Sequence, residues 1–163
     1  MNILDFAAKA SYLGSAGLLF LETGALIGLV VPGGDSLVLA LGVLARLGHL
    51  SYHKLWLLLT LAVILGQWSG YYWGRRGGNV IFRRVDERKL IKAKKLLEKY
   101  GNYAILIAPF IPVARTLIPF LAGAGGISWR KYILLSTIAA TTWITVTLSI
   151  GYYATGWALS LLR

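Results

Sequence analysis

The chain has 163 residues, 57% of them hydrophobic and 14% charged, with a mean hydropathy of +0.67 and no cysteine. That apolar excess excludes intrinsic disorder, and the missing cysteines exclude a disulfide-stapled secreted module. Its 17 Lys and Arg outweigh 6 Asp and Glu, and a net charge of +11 points to an anionic partner, nucleic acid or membrane, according to where the charge sits.

The opening segment, MNILDFAAKASYLG, carries an early acid and no small-residue cleavage site, so a cleavable signal peptide is not expected. Ser11–Val31 is a long apolar run interrupted by Glu22. It ends at Pro32-Gly33-Gly34, which cannot easily continue a regular helix, and this is read as a re-entrant break. Asp35 follows, close to the start of a second apolar segment, Ser36–Ala45, whose free N–H groups it can cap. Leu55–Trp73 and Tyr132–Tyr153 contain no Asp, Glu, Lys, Arg or His. As helices they measure roughly 28 and 33 Å, enough to cross a hydrocarbon core of about 30 Å. The expected class is therefore an all-α integral membrane protein.

Ten of the basic residues lie between Arg75 and Lys99, with only Asp86, Glu87 and Glu98 among them, so this window holds +7 of the +11. By the positive-inside rule it is cytoplasmic. Asp86 is a candidate N-cap and Gly101 a candidate C-cap, and Leu90, Ala93, Leu97 and Tyr100 recur at helical spacing. Lysines fill the opposite face. The segment is expected to lie on the anionic inner leaflet, a merely solvated linker being the alternative. No nucleic-acid role is expected for the charge. In the following run, Tyr103–Ile127, Pro109, Pro112, Pro119 and Gly123 surround Arg115 and are read as a second re-entrant break.

A shift of 77 residues lays Ser51-Tyr52-His53-Lys54 on Ser128-Trp129-Arg130-Lys131 and Pro32 on Pro109. Four more residues of offset lay Gly70-Tyr71-Tyr72 on Gly151-Tyr152-Tyr153. The single membrane domain thus divides into one half at about 11–74, the basic segment at 75–101, and a second half at about 102–156. If each broken stretch returns to the side it entered from and each half adds one crossing, the halves are inverted. Arg75–Lys99 and Arg130-Lys131 then share the cytoplasmic side, in agreement with the charge bias. The tyrosine pairs read as interfacial belt residues.

Glu22, Asp35 and Arg115 are the charges that interrupt the apolar runs or their breaks, and each costs on the order of 2.5–3.5 kcal/mol at bilayer depth. Each needs a partner or a wet cavity. Arg115 suits either an ion pair with Glu22 or Asp35, joining the two halves, or capture of a phosphate, and the two are compatible if the pair opens for an anion. A carboxyl caught between burial and a nearby guanidinium can exchange a proton, which makes Glu22 a candidate carrier; a neutral buried acid is the alternative. Thr116 and Gln67 are polar and either packed or helpful to binding. His49 and His53 lack an acidic or Cys companion, so no metal is expected. No nucleophilic triad or phosphate-binding glycine loop is present, which argues against an enzyme.

The run E-x-G with P-G-G-D-S-L and A-L-G-x-L-A, then G-Q-W-S-G-Y-Y-W-G-R-R-G-G, then F-I-P-V-A-R-T-L-I-P-F-L-A-G, resembles the DedA family over roughly Glu22 to Gly156. These are bacterial inner-membrane proteins sharing a domain with eukaryotic lipid scramblases. The resemblance implies two inward-facing re-entrant hairpins of opposite orientation. It also implies transport of undecaprenyl phosphate or a related phospholipid, often linked to the proton gradient, with roles for Glu22, Asp35 and Arg115. Three positions depart from the pattern: Pro109 replaces the usual Arg before the Phe, Gly33-Gly34 carries an extra glycine, and Gln67 stands where an acid often follows Gly66. The resulting expectation is a multi-pass inner-membrane transporter that moves a phosphate-headed lipid between leaflets, supports cell-envelope synthesis and uses no cofactor beyond a proton gradient. Arg115 and Thr116 would hold the phosphate, with Glu22 and Asp35 as ion-pair or proton partners. An energy-independent scramblase and a proton-coupled cation or drug exporter are the alternatives, and a homo-oligomer stays open.

Overall fold

The computed structural model describes residues 3–26, 33–83 and 85–161, and among these every regular element is helical. Seven α-helices follow one another: α1 (Ile3–Gly24), α2 (Gly34–Arg46), α3 (Tyr52–Phe82), α4 (Glu87–Tyr100), α5 (Ala104–Ile107), α6 (Pro112–Ala124) and α7 (Trp129–Leu161). Short 3-10 turns at Gly101–Tyr103 and Ala108–Phe110 flank α5.

Among the described residues, α3 and α7 contain two stretches long and apolar enough to cross a membrane, Tyr52–Gly78 and Trp129–Ser160. Both outrun the expected spans. α3 bends at Gly77 but continues to Phe82, so Arg75 and Arg76 sit on a helix and not in a loop. α2 and α6, by contrast, have 13 residues each. At 1.5 Å per residue each measures roughly 20 Å, too short to cross a hydrocarbon core of about 30 Å. A 13-residue helix, a tight turn and a long helix therefore occur twice. The two long helices begin 77 residues apart, at Tyr52 and Trp129, as the sequence offset predicts.

The prolines act differently from expectation. Ile111 is extended (φ −119°, ψ 109°), the conformation that a following proline favours, and Pro112 then opens α6 as its first residue, where its missing N–H is not needed. Pro119 and Gly123, expected at a break, lie inside α6 instead. Pro119 cannot donate to the Arg115 carbonyl one turn earlier, yet burial of nearly every residue from Ala114 to Gly123 holds the helix together. Pro32 falls outside the described residues.

Core packing pairs each short helix with the long helix of the other half: α2 lies on α7, and α6 on α3. Glycines let the backbones touch. A Cβ on Gly42 would strike Leu148 O and the Gly151 Cα, and one on Gly151 would strike Leu39 O. On the other pair, a Cβ on Gly123 would meet Tyr71 O and, at 2.8 Å, Arg75 N, while one on Gly74 would meet the Phe120 backbone. The same offset of 81 residues relates Gly42 to Gly123 and Gly70 to Gly151.

The basic segment folds as read at its ends. Asp86 caps α4 by accepting from Arg88 N and Lys89 N, and Gly101 (φ 56°) closes it. Its apolar face is occupied, however. Ala93 is buried with Leu117 and Leu121 of α6, with Leu90 and Leu97 packed alongside, so much of that face meets protein, while Tyr100 is open. Lys92, Lys94, Lys95 and Lys99 point outward. Tyr71, expected in an interfacial belt, is 2% exposed and stacks on Tyr132 at 4.5 Å between ring centroids, whereas Tyr153 is open.

A side chain at Gly123 has no room to give, because backbone atoms face it. Gly123→Val should therefore cost about 1–3 kcal/mol by overpacking. Gly14→Ala, where nothing lies within 4 Å, should leave stability unchanged or slightly raised. Thermal unfolding of both variants in detergent micelles checks this, and equal midpoints would contradict the contact.

Candidate functional site

The three charges that interrupt the apolar runs meet. Arg115, the fourth residue of α6, is fixed by its own N–H bonding Ile111 O at 2.8 Å and by complete enclosure of the side chain, 1% exposed. Its Nη2 donates to Glu22 Oε1 at 2.7 Å, and its Nη1 donates to Asp35 Oδ1 at 2.9 Å. These are the ion pairs found among the described residues. Nη1 also reaches Pro109 O at 3.4 Å.

Both short helices begin here. Asp35 lies in the first turn of α2 and Arg115 ends the first turn of α6, so two positive helix ends converge on the cluster. The expectation that Asp35 caps α2 is not met, for Gly33 is the N-cap and makes no side-chain cap bond. Asp35 Oδ1 is engaged by Arg115 and by Trp143 Nε1 at 3.0 Å instead.

Trp143 of α7 was not legible as a site residue. Its ring also lies 4.5 Å from the Arg115 guanidinium carbon, a cation–π contact in a dry surrounding. The one available signal was a Trp among Thr and aliphatic residues in the middle of a span, since a buried indole N–H needs an acceptor. Thr116 is not brought into the cluster. It is fully buried and its hydroxyl donates to Pro112 O of its own helix, so it holds α6 and not the carboxylates. Gln67 is buried too, and its backbone oxygen accepts from Tyr132.

Burial is uneven across the cluster. The Glu22 side chain is 4% exposed and that of Asp35 is 42% exposed. One cation faces two acids, one sealed and one open. Two polar atoms stay unpartnered inside, Glu22 Oε2 and Arg115 Nε. A Cβ on Gly34 would fall on that same Oε2, which accounts for the second glycine in Pro32-Gly33-Gly34, whereas Gly33 faces open space.

The VTT domain model matches residues 16–153. Protein DedA of Escherichia coli K12 is 34% identical over 143 residues, covering 83% of this chain and 65% of that protein. Inner membrane protein YghB of Salmonella typhimurium is 32% identical over 160 residues, 91% of this chain and 73% of that protein. The chain belongs to the DedA family of VTT-domain membrane proteins. Inner membrane protein YqjA of Escherichia coli K12 is 34% identical over 140 residues, and there the chain covers 63% of the relative. It therefore spans less than two thirds of DedA and YqjA. No solved structure matches the chain.

Arg115→Gln removes the only cation beside a sealed carboxylate, a change that costs about 3–5 kcal/mol for a buried pair. Adding Glu22→Gln should return much of that loss, so the double variant should unfold later than the single one in detergent. Additive losses would speak against the pairing. Gly34→Ala should lower stability by displacing Glu22, while Gly33→Ala should unfold near the wild-type temperature.

Proposed function

We propose that the chain is a multi-pass transporter of the bacterial inner membrane that moves a phosphate-headed lipid between leaflets, with Arg115 holding the phosphate. The observation that carries this reading is the uneven cluster: a sealed guanidinium whose Nη1 is covered by a half-open carboxylate, Asp35. A phosphate oxygen matches that carboxylate in charge and in its fit to the arginine fork, and it replaces Asp35 at Nη1. The converging N-termini of α2 and α6 favour the arriving anion. Glu22 stays on Nη2 and keeps Arg115 oriented.

Charge balance supplies the proton step. The empty cluster carries one positive and two negative groups, so adding a phosphate places a third anion in a poorly solvated site. Taking a proton on Asp35 or Glu22 relieves that excess and links binding to the proton gradient. The exchanged packing of short and long helices, with glycines 81 residues apart at both contacts, supports two inverted repeats whose short helices are re-entrant. The exposed lysine face of α4 then meets anionic lipid on the cytoplasmic side.

Reconstitution into liposomes holding a fluorescent polyprenyl phosphate tests the reading. Arg115→Lys keeps the buried charge but loses the fork, and transport should fall by about 10²-fold or more with the thermal midpoint within a few degrees of wild type. Collapse of a proton gradient should slow the wild type. Wild-type transport by Arg115→Lys would overturn the phosphate role, and loss at Glu22→Gln with indifference at Arg115 would favour a cation exporter.

A further inference from the structure

A second cleft of ≈ 510 Å³ lies between α3 and the start of α7, lined by Tyr71, Tyr72, Arg75, Arg76 and Trp129. It shares no residue with the Arg115 cluster. The Arg75 backbone abuts Gly123, eight residues beyond Arg115 on α6 and so roughly 12 Å from it along the helix.

Its two guanidinium groups are held in place but not neutralised. Arg75 Nη1 donates to Tyr71 Oη at 3.4 Å, and Tyr71 in turn donates to Ile127 O. The Arg76 guanidinium carbon sits 4.6 Å from the centre of the Tyr72 ring. Among the described residues neither arginine pairs with a carboxylate, since the ion pairs there are those of Arg115. Both side chains are exposed. Trp129, in tilted contact with Tyr71 at 5.0 Å, walls the opposite side and opens α7 with its positive end.

The position selects the ligand. One candidate span ends at Gly78 and the other starts at Trp129, so the cleft lies where apolar helix gives way to the basic segment. Tyr72 and Trp129 are open at its rim, as amphipathic rings are at a headgroup boundary. On α3, Leu61, Leu65, Tyr72 and Arg76 fall on one face at helical spacing, and the first three are 48%, 52% and 46% exposed. An apolar track thus leads up to a pair of forked cations.

We propose that this cleft binds the phosphate headgroup of an anionic membrane lipid, its acyl chains lying along the Leu61–Leu65 face. The site does not depend on transport at Arg115. Arg75 and Arg76 supply the charge-assisted hydrogen bonds, and Trp129 and Tyr72 bracket the glycerol region.

Purified full chain in phosphatidylcholine nanodiscs, titrated with dioctanoyl phosphatidic acid while tryptophan emission is followed, tests the proposal. A saturable change is expected, absent with dioctanoyl phosphatidylcholine and lost in Trp129→Phe. Arg75→Gln/Arg76→Gln should weaken binding by roughly tenfold or more. Arg75→Lys/Arg76→Lys, which keeps the charge without the fork, should fall between that variant and wild type. A response that survives Trp129→Phe but is lost in Arg115→Lys would come from the Arg115–Trp143 cluster and would overturn the proposal. Binding within twofold of wild type in both arginine-pair variants would overturn the proposal. So would an equal response to inorganic phosphate at the same concentrations, which would mark a site for the free ion.

Discussion

The architecture depends on a single guanidinium. Arg115 is 1% exposed, and its buried charge is tolerable because two acids from distant parts of the chain reach it at 2.7 and 2.9 Å. Glu22 comes from α1, Asp35 from α2 and the aromatic support, Trp143, from α7. Three helices thus answer to one side chain on a fourth. A lysine would satisfy the charge but could not span both acids as a planar fork, nor lie as flat on an indole.

The rest of the packing serves that meeting point. Two 13-residue helices are too short to cross a bilayer, and their starts meet at the buried cluster, where ordinary helix ends would be costly. Pro112 removes one of those unsatisfied donors at α6, and the acid in the first turn of α2 suits its positive end. Close approach through Gly42 and Gly151 on one side, and Gly74 and Gly123 on the other, fixes the depth of both starts. In membranes such small-residue contacts replace the hydrophobic drive that water would provide.

Much of this was legible. Composition and helix length gave the membrane class, capping chemistry gave α4, and cost alone singled out Glu22, Asp35 and Arg115. The two-part pattern was visible in the turns, and the long helices begin at the predicted spacing. What escaped was tertiary. Proline statistics suggested breaks at Pro119 and Gly123, but burial on every side outweighs one missing hydrogen bond, and α6 runs through them. Tyr71 looked interfacial because Trp73 was taken as the end of its span; the helix continues for two more turns and Tyr71 becomes core. The packing of Ala93 against Leu117 and Leu121 was not visible, because those partners lie more than twenty residues further along. Trp143 was invisible because nothing local distinguishes an indole that packs from one that holds a carboxylate.

The cluster's composition also carries a consequence for any anion that visits it. A neutral pair of one Arg and one acid would gain a second negative charge on binding phosphate; here an additional acid is already present, at the open edge. The burial difference between the two acids decides which gives way. Moving Glu22 would strand a carboxylate at 4% exposure, with one oxygen already unpartnered and pressed against Gly34. Asp35, at 42%, can turn toward solvent and recover hydration there. Under the proposed reading, the open acid is the exchangeable lid on Arg115 and the sealed acid its anchor, a division set by burial and not by residue type. Trp143 touches both sides of that division, its indole N–H bonding Asp35 and its ring lying against the Arg115 guanidinium.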